Sequence, residues 1–272
     1  MARILLQDKV AIVTGASSGI GRSTALALAS EGADIVLASR NLPALKEVAR
    51  EVRSSGRQAL PVPCDVPQFD QVKSLVAETL ERLGRVDILV ANAGQYIRSP
   101  IKDMPISLLE QSMAVNFFGQ VNAVQAVLPH FLAQSSGHIV LMNSMIALRP
   151  FPPDTPYAAA KCALKGYGEN LRQELIGTGV YTTLVYPGRV DTPLIGELEM
   201  PWLAAKISPG AVARAVLKAI RYRKHKVIVA PFQSIVLYYL NFLLPVSISD
   251  RLAYLFKLRG WEAARLVHKN RP

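Results

Sequence analysis

Short, nearly uninterrupted apolar runs alternate with helix-patterned segments along most of the chain, and no other feature constrains the fold as tightly. The runs are Lys9–Thr14, Asp34–Ser39, Ala59–Val62, Asp87–Ala91, His138–Met142, Val180–Tyr186 and Lys226–Ala230. Between them lie helical patterns at Arg22–Ser30, Leu42–Ser54, Pro67–Leu83, Ile106–Gln134, Tyr157–Ile176 and Ser208–Tyr222. A strand that is apolar on both faces must be covered on both, and helical crossovers between parallel neighbours supply that cover. The expected architecture is α/β, a three-layer αβα sandwich around a mainly seven-stranded parallel sheet. It occupies residues 1–230, and residues 231–272 form a basic and apolar helical extension at the C-terminus.

Composition narrows the class. Half of the 272 residues are hydrophobic and 19% are charged, too apolar for a disordered chain. Two cysteines, Cys64 and Cys162, cannot build a disulfide framework and point to a reducing compartment, so a cytoplasmic location is expected. Asp8 and Lys9 interrupt the N-terminal apolar stretch before a signal-peptide core develops. The net charge of +11 invites a nucleic-acid reading, but its distribution argues against one. Residues 219–272 hold 10 of the 31 basic side chains and only 2 of the 20 acidic ones, so the body of the chain is close to balanced. No nucleic-acid fold or base-stacking motif accompanies the charge, and no specific nucleic-acid partner is expected.

The first strand ends in Thr14-Gly15-Ala16-Ser17-Ser18-Gly19-Ile20-Gly21 and runs directly into a helix. Gly15 permits a tight turn, Gly19 lets backbone approach a phosphate, and Gly21 lets helix and strand pack closely. The free N–H groups and positive dipole end of that helix favour a pyrophosphate. An NAD site would carry a carboxylate at the end of the second strand, to hold the ribose 2′-hydroxyl. That end reads Ala38-Ser39-Arg40-Asn41. Asp34 lies at the strand's opposite end, whereas Arg40 can meet a 2′-phosphate with a charge-assisted fork. The expected cofactor is therefore NADP(H) in preference to NAD(H). A second basic residue inside the glycine turn would strengthen the preference, but Ser17 and Ser18 occupy those positions.

Tyr157 and Lys161 are spaced i, i+4, which places a phenol and an ammonium on one helix face. A nearby cation favours the phenolate and so brings a weak acid toward useful acid–base chemistry. Tyr-x3-Lys is by itself a common surface pair. Ser144, however, lies thirteen residues upstream, just past the fifth strand, at the sheet edge where ligands bind.

Together these motifs resemble the short-chain dehydrogenase/reductase family, in the subgroup called classical, over about residues 7–230. They occur in the family's order and spacing. Cys64-Asp65-Val66 carries the aspartate that in this family contacts the adenine. Ala91-Asn92-Ala93-Gly94 matches the family's Asn-Asn-Ala-Gly with its first position changed, so only Asn92 and Gly94 are carried over. Asn116 matches the helix asparagine of the catalytic tetrad. Pro187-Gly188-Arg189-Val190-Asp191-Thr192 matches the Pro-Gly segment, whose threonine contacts the nicotinamide carboxamide. The resemblance implies a Rossmann-type sheet, a homodimer or homotetramer, and a cofactor site that also includes Val66, Pro187, Gly188, Val190, Tyr157 and Lys161. It further implies hydride transfer from the nicotinamide to a carbonyl carbon. Tyr157 would be the general acid/base and Ser144 the hydrogen-bonding partner of the same oxygen. Lys161 would lower the Tyr157 pKa and hold the ribose, and Asn116 would anchor a water that resupplies protons.

The histidines at 130, 138, 225 and 268 lack metal-ligand spacing, and no metal is expected. Cys162 has no paired base and reads as packing. The proline-rich stretch Arg149–Pro156 is expected to wall the substrate entrance. In this family the segment Leu194–Ile207 is a variable substrate lid, and its Met200, Pro201 and Trp202 favour a small apolar carbonyl or alcohol. A lipid ketone, a long-chain 3-keto compound or a steroid would fit. A soluble 3-ketoacyl thioester reductase is one alternative, and a non-catalytic membrane-peripheral NADP-binding protein is another. The longest uncharged run, Val227–Ser249, is cut by Pro231 and Pro245. The 13 residues between the prolines would span only about 20 Å as a helix, short of a bilayer's roughly 30 Å core. Apolar segments flanked by clustered cations instead suit attachment to an anionic membrane surface. Packing of this tail on the domain or on another subunit competes with that reading.

Overall fold

The computed structural model describes residues 4–195 and 206–232 without interruption, together with residues 234–236, 239, 244–245, 247–248 and 250–251. Seven strands form one sheet in the order β3-β2-β1-β4-β5-β6-β7, every neighbouring pair parallel. They are β1 (Val10–Thr14), β2 (Asp34–Ser39), β3 (Ala59–Pro63), β4 (Ile88–Ala91), β5 (Gly137–Met142), β6 (Val180–Pro187) and β7 (Lys226–Val229). The connecting helices are α1 (Gly19–Ala29), α2 (Leu42–Ser54), α3 (Phe69–Leu83), α4 (Ile106–Met113), α5 (Gly119–Ala133), α6 (Thr155–Glu174) and α7 (Pro209–Arg221). The fold is the Rossmann-type sandwich that the alternating pattern predicts.

The period of two along each strand sorts the core into two layers. In β1, Ala11 and Val13 face Ala25 and Leu28 of α1, Leu45 of α2 and Val216 of α7. Val10 and Ile12 face the other way, toward Val72 and Leu75 of α3, Val124 of α5 and Leu164 of α6. Both sets are fully buried, which is why the strand sequences lack polar alternation. Helix starts follow local chemistry. The Asn41 side chain accepts from Ala44 N at 3.1 Å to cap α2, and Ser208 does the same for α7 from Ala211 N at 3.2 Å.

The sequence pattern predicts one long helix over Ile106–Gln134, and here the structure differs. A π turn over Ala114–Phe118 separates α4 from α5 and carries Asn116. The wider turn accommodates one extra residue per cycle, a local distortion common at functional positions. The Asn116 amide takes part in holding it, accepting from Gln95 N at 2.9 Å and donating to Gln95 O at 2.8 Å and Ser112 Oγ at 3.1 Å.

The strand order reverses between β1 and β4, which opens a crevice at the carboxyl edge of the sheet. In an open α/β sheet that switch point is where a ligand enters.

Candidate active site

The crevice is lined by the glycine turn. Gly15 and Gly19 have φ of +65° and +54°, backbone that side-chain-bearing residues rarely adopt. A Cβ on Gly21 would lie 2.2 Å from Gly15 O, so only glycine lets α1 pack this closely on β1. A Cβ on Gly19 would come within 3.0 Å of Thr192 Cγ2. The glycine turn and the Pro-Gly segment, far apart in sequence, thus face each other. Ser18 leads α1 without a side-chain capping bond, and the helix's first turn holds no acidic residue. Uncapped N–H groups at a positive dipole end, cradled by glycines, fit the pyrophosphate of a dinucleotide.

The opposite wall is fixed by Thr14, which sequence reasoning did not single out. Its buried Oγ1 accepts from Asn92 N at 2.9 Å and Ala93 N at 3.0 Å, tying the end of β1 to the loop after β4. Asn92 Nδ2 returns donations to Thr14 O at 3.0 Å and Gly15 O at 3.4 Å. Asn92 therefore braces the glycine turn. Gly94 lies beside Asn116, where a Cβ would stand 3.0 Å from Asn116 Oδ1.

The remaining cofactor-site residues fall along the same edge. Arg40 follows β2 and is 79% exposed, with its Nε 3.9 Å from the Asp65 carboxylate. Asp34 sits at the other end of β2, as expected, bonded by Arg57 Nε at 3.1 Å and Gln58 N at 2.8 Å. The Asp65–Val66 loop is held by Asn122 Nδ2, which donates to Val66 O at 2.9 Å. Gly119 leaves Val66 room, since a Cβ there would meet Val66 Cγ2 at 2.4 Å. Gly188 N donates to Val229 O at 2.8 Å, and Val190 bridges Ile207, which anchors both ends of the Pro-Gly segment. The proposed lid falls outside the described residues over 196–205.

The reactive side chains meet just beyond β5. Ser144 begins a short 3₁₀ turn over Met145–Ala147, its N–H held by Asn143 Oδ1 at 2.8 Å and its Oγ accepting from Ile146 N at 3.3 Å. Tyr157 occupies the first turn of α6, half-buried, and hydrogen-bonds Ser144. Lys161 follows one turn later, almost fully buried, with Nζ donating to Met142 O at 2.8 Å and lying 5.7 Å from the centre of the Tyr157 ring. Three of the four expected catalytic groups thus converge. Asn116 is engaged with Gln95 and Ser112 on the α4–α5 side, where it fixes the loop after β4.

The electrostatics differ from the expectation that Lys161 lowers the Tyr157 pKa. Burial pushes the phenol up to about 12, outweighing the hydrogen bond from Ser144, and Asp154 adds to the rise. Burial brings Lys161 itself down to about 7, so loss of water dominates over the pairing of the two groups. The Cys162 thiol is likewise raised by burial and points at Ala147 O, 3.8 Å away, as packing implies.

Two residues to which sequence reasoning assigned no individual role stand against this site, one of them, Asp154, within the proline-rich stretch Arg149–Pro156. Tyr96 places its ring edge-on to Tyr157, with centroids 5.0 Å apart and planes at 84°. Asp154, at the start of α6, accepts from Tyr96 Oη at 2.9 Å and Arg98 Nε at 2.8 Å.

A family model described as short chain dehydrogenase matches residues 9–201. An uncharacterized oxidoreductase of Staphylococcus saprophyticus is 39% identical over 222 residues, covering 81% of this chain and 94% of that protein. A second, from Listeria monocytogenes, is 38% identical over 192 residues, 70% of this chain and 77% of its own length. Among solved structures, the alcohol dehydrogenase of Thermococcus sibiricus complexed with 5-hydroxy-NADP superposes with a TM-score of 0.76 at 26% identity. It covers 83% of this chain and 97% of the other. A 7α-hydroxysteroid dehydrogenase complexed with NADH and 7-oxo glycochenodeoxycholic acid gives 0.78 at 27% identity, covering 83% and 94%. The chain belongs to the short-chain dehydrogenase/reductase family and is an oxidoreductase of it.

Proposed function

We propose that the chain is an NADP(H)-dependent oxidoreductase that interconverts a carbonyl and a secondary alcohol on an apolar substrate, acting chiefly as a reductase. The observation that carries this reading is the convergence of Ser144, Tyr157 and Lys161 beside the glycine-lined crevice. When bound, the dinucleotide supplies the hydride. Tyr157 donates its proton to the substrate oxygen as the general acid. Ser144 donates a hydrogen bond to the same oxygen and sets the approach of the carbonyl. Lys161 holds the cofactor ribose and, with a water anchored near Asn116, returns a proton to the phenol. In the opposite direction Tyr157 takes the alcohol's proton.

Arg40 supports the NADP(H) preference. It is exposed at the end of β2, and its ion pair with Asp65, at 3.9 Å, is of the weak surface kind. It can turn to a 2′-phosphate at little cost. Half-exposed Leu194, just after Thr192, supports an apolar substrate. The solved neighbours include an alcohol dehydrogenase with an NADP derivative and a hydroxysteroid dehydrogenase, which favours lipid-like and steroid ketones as first candidates.

The proposed assembly is a homodimer or homotetramer through the helices near 106–134 and 157–176, where Ile106, Phe118, Leu132 and Ile176 are exposed. We also propose that the C-terminal tail lies on an anionic membrane surface. No described helix is long and apolar enough to cross a membrane. Most of the tail falls outside the described residues, and its support is the charge pattern. Sedimentation with anionic liposomes, with and without residues 232–272, tests it: loss of pelleting on truncation is expected, and equal pelleting would remove the idea.

The activity is tested by following NADPH and NADH oxidation by the full chain. The carbonyl panel is graded from small polar ketones to long-chain and steroid ketones. Turnover with NADPH that rises with substrate apolarity is expected. Turnover confined to NADH, or to small polar ketones, would overturn the cofactor or the substrate assignment respectively.

A further inference from the structure

Tyr157 meets a cluster that none of the steps above uses. Asp154 leads α6, three residues before the phenol, and its carbonyl receives Ala158 N at 2.7 Å. An aspartate in that position commonly turns its side chain onto the first-turn N–H groups. This one makes no such bond. Its buried carboxylate faces the loop after β4 and accepts Tyr96 Oη on one oxygen and Arg98 Nε on the other, at 2.9 and 2.8 Å. The Arg98 guanidinium also lies 5.8 Å from the centre of the Tyr96 ring. Backbone joins the same two loops, with Ser99 N donating to Pro153 O at 2.9 Å and a bridge between Ser99 and Asp154. The loop that carries Asn92 and Gly94 is thereby fastened to the start of the catalytic helix.

We propose that Tyr96 and Asp154, with Arg98 as counter-charge, form a positioning unit that fixes the Tyr157 ring and holds a carboxylate at the head of its helix. The proposal rests on Tyr157 being the proton donor. The ring contact supplies the orientation, because edge-to-face packing against Tyr96 restricts how the Tyr157 ring can tilt. Tyr96 can serve as that abutment because Asp154 holds its hydroxyl. The charge supplies the second part, since a carboxylate near a phenol disfavours phenolate.

The groups that face Tyr157 or the Tyr96–Asp154 pair come from four elements. Ser144 stands beyond β5, Lys161 on α6 itself, Tyr96 and Arg98 on the loop after β4, and Arg189 on the Pro-Gly segment. Arg189 interacts electrostatically with Tyr96, Asp154 and Arg98. Asp154 and Ser144 act in opposite directions on the phenol, and Asp154 also balances two arginines. Removing its charge takes away an anion that disfavours the phenolate and moves the phenol toward easier ionisation.

The test uses the full-length protein with its tyrosine rings isotopically labelled, and follows Tyr157 by NMR as pH rises. A parallel Tyr157→Phe sample assigns the resonance, so no turnover is needed. Asp154→Asn should lower the pH at which Tyr157 titrates. Tyr96→Leu should remove the ring-current shift that Tyr96 imposes on Tyr157, and Tyr96→Phe should preserve it. Circular dichroism establishes that each variant is folded. If Asp154→Asn fails to fold, Arg98→Gln takes its place; it leaves Asp154 less compensated and should move the titration the other way. Under turnover with a ketone found by the panel, Tyr96→Leu should lower kcat about tenfold, while Tyr96→Phe keeps most of it. An unmoved Tyr157 titration in Asp154→Asn, or unchanged ring shifts in Tyr96→Leu, would overturn the proposal. If the NMR effects occur while Tyr157→Phe retains turnover, the proton-donor reading falls and the spectroscopic unit stands as structural only.

Discussion

Thr14→Val tests how the cofactor crevice is built. The substitution preserves shape and replaces a hydroxyl with a methyl at a position 1% exposed, so packing changes little. It removes the acceptor for two backbone N–H groups, Asn92 and Ala93, at 2.9 and 3.0 Å. Leaving a buried donor unsatisfied costs about 1–3 kcal/mol. Both amides belong to residues that are only half-buried, so the lower part of that range applies. The expected loss is about 2–3 kcal/mol for the pair. In urea unfolding, with a slope of about 3 kcal/mol/M, the midpoint should fall by about 1 M with the slope unchanged. Asn92 also braces Thr14 O and Gly15 O, so dinucleotide affinity should weaken with the stability. Thr14→Ser keeps the acceptor and should fall between wild type and Thr14→Val in both measurements. A Val variant with the wild-type midpoint, or a Ser variant as weak as Val, would refute the reasoning.

Buried Lys161 is held down to about 7, against an ordinary value above 10, so the folded state binds fewer protons between those limits. Its burial therefore penalises the fold fully below pH 7, and stability recovers as pH rises toward 10.5. Lys161→Met should gain most over wild type near pH 7 and lose that advantage by pH 10, as read by urea midpoints; a pH-independent difference would contradict this. His138 is buried and lowered to about 3, and its Nε2 lies 2.8 Å from Thr183 Oγ1. Wild type should lose stability as pH falls below 6.5, with this residue contributing a slope of up to about 1.4 kcal/mol per pH unit. His138→Gln should flatten the curve between pH 6 and 4, and parallel curves would refute it. Arg40→Ser should weaken NADPH binding about tenfold or more, one charge-assisted contact, while leaving NADH binding nearly unchanged. Equal losses for both nucleotides, measured by cofactor fluorescence, would remove Arg40 as the discriminating residue.

The strands were legible because parallel sheets bury both faces. Lys9–Thr14 and His138–Met142 read as continuous apolar runs, and each sits within a residue of its observed position. The glycine turn was legible for a different reason: its glycines answer close contacts, such as the 2.2 Å that would separate a Gly21 Cβ from Gly15 O. Ser144, Tyr157 and Lys161 were legible by spacing and by position on the sheet edge. The π turn was not. Apolar periodicity from Ile106 to Gln134 is compatible with one straight helix, and the break is stabilised by Asn116 bonding Gln95, a contact across 21 residues. Thr14, Tyr96 and Asp154 escaped for the same reason, since each acts through a partner 56 to 79 residues away. The sign of the Tyr157 shift escaped because i, i+4 spacing shows the nearby cation and not the water lost around both groups.

The most direct test of the account is a single-turnover comparison of wild type and Tyr157→Phe. The two proteins would be saturated with NADPH and mixed with the best ketone from the panel. The account predicts that NADPH still binds and that the hydride-transfer rate is at least about a hundredfold lower, the usual scale for loss of a general acid. A Tyr157→Phe protein that transfers hydride at the wild-type rate would contradict it.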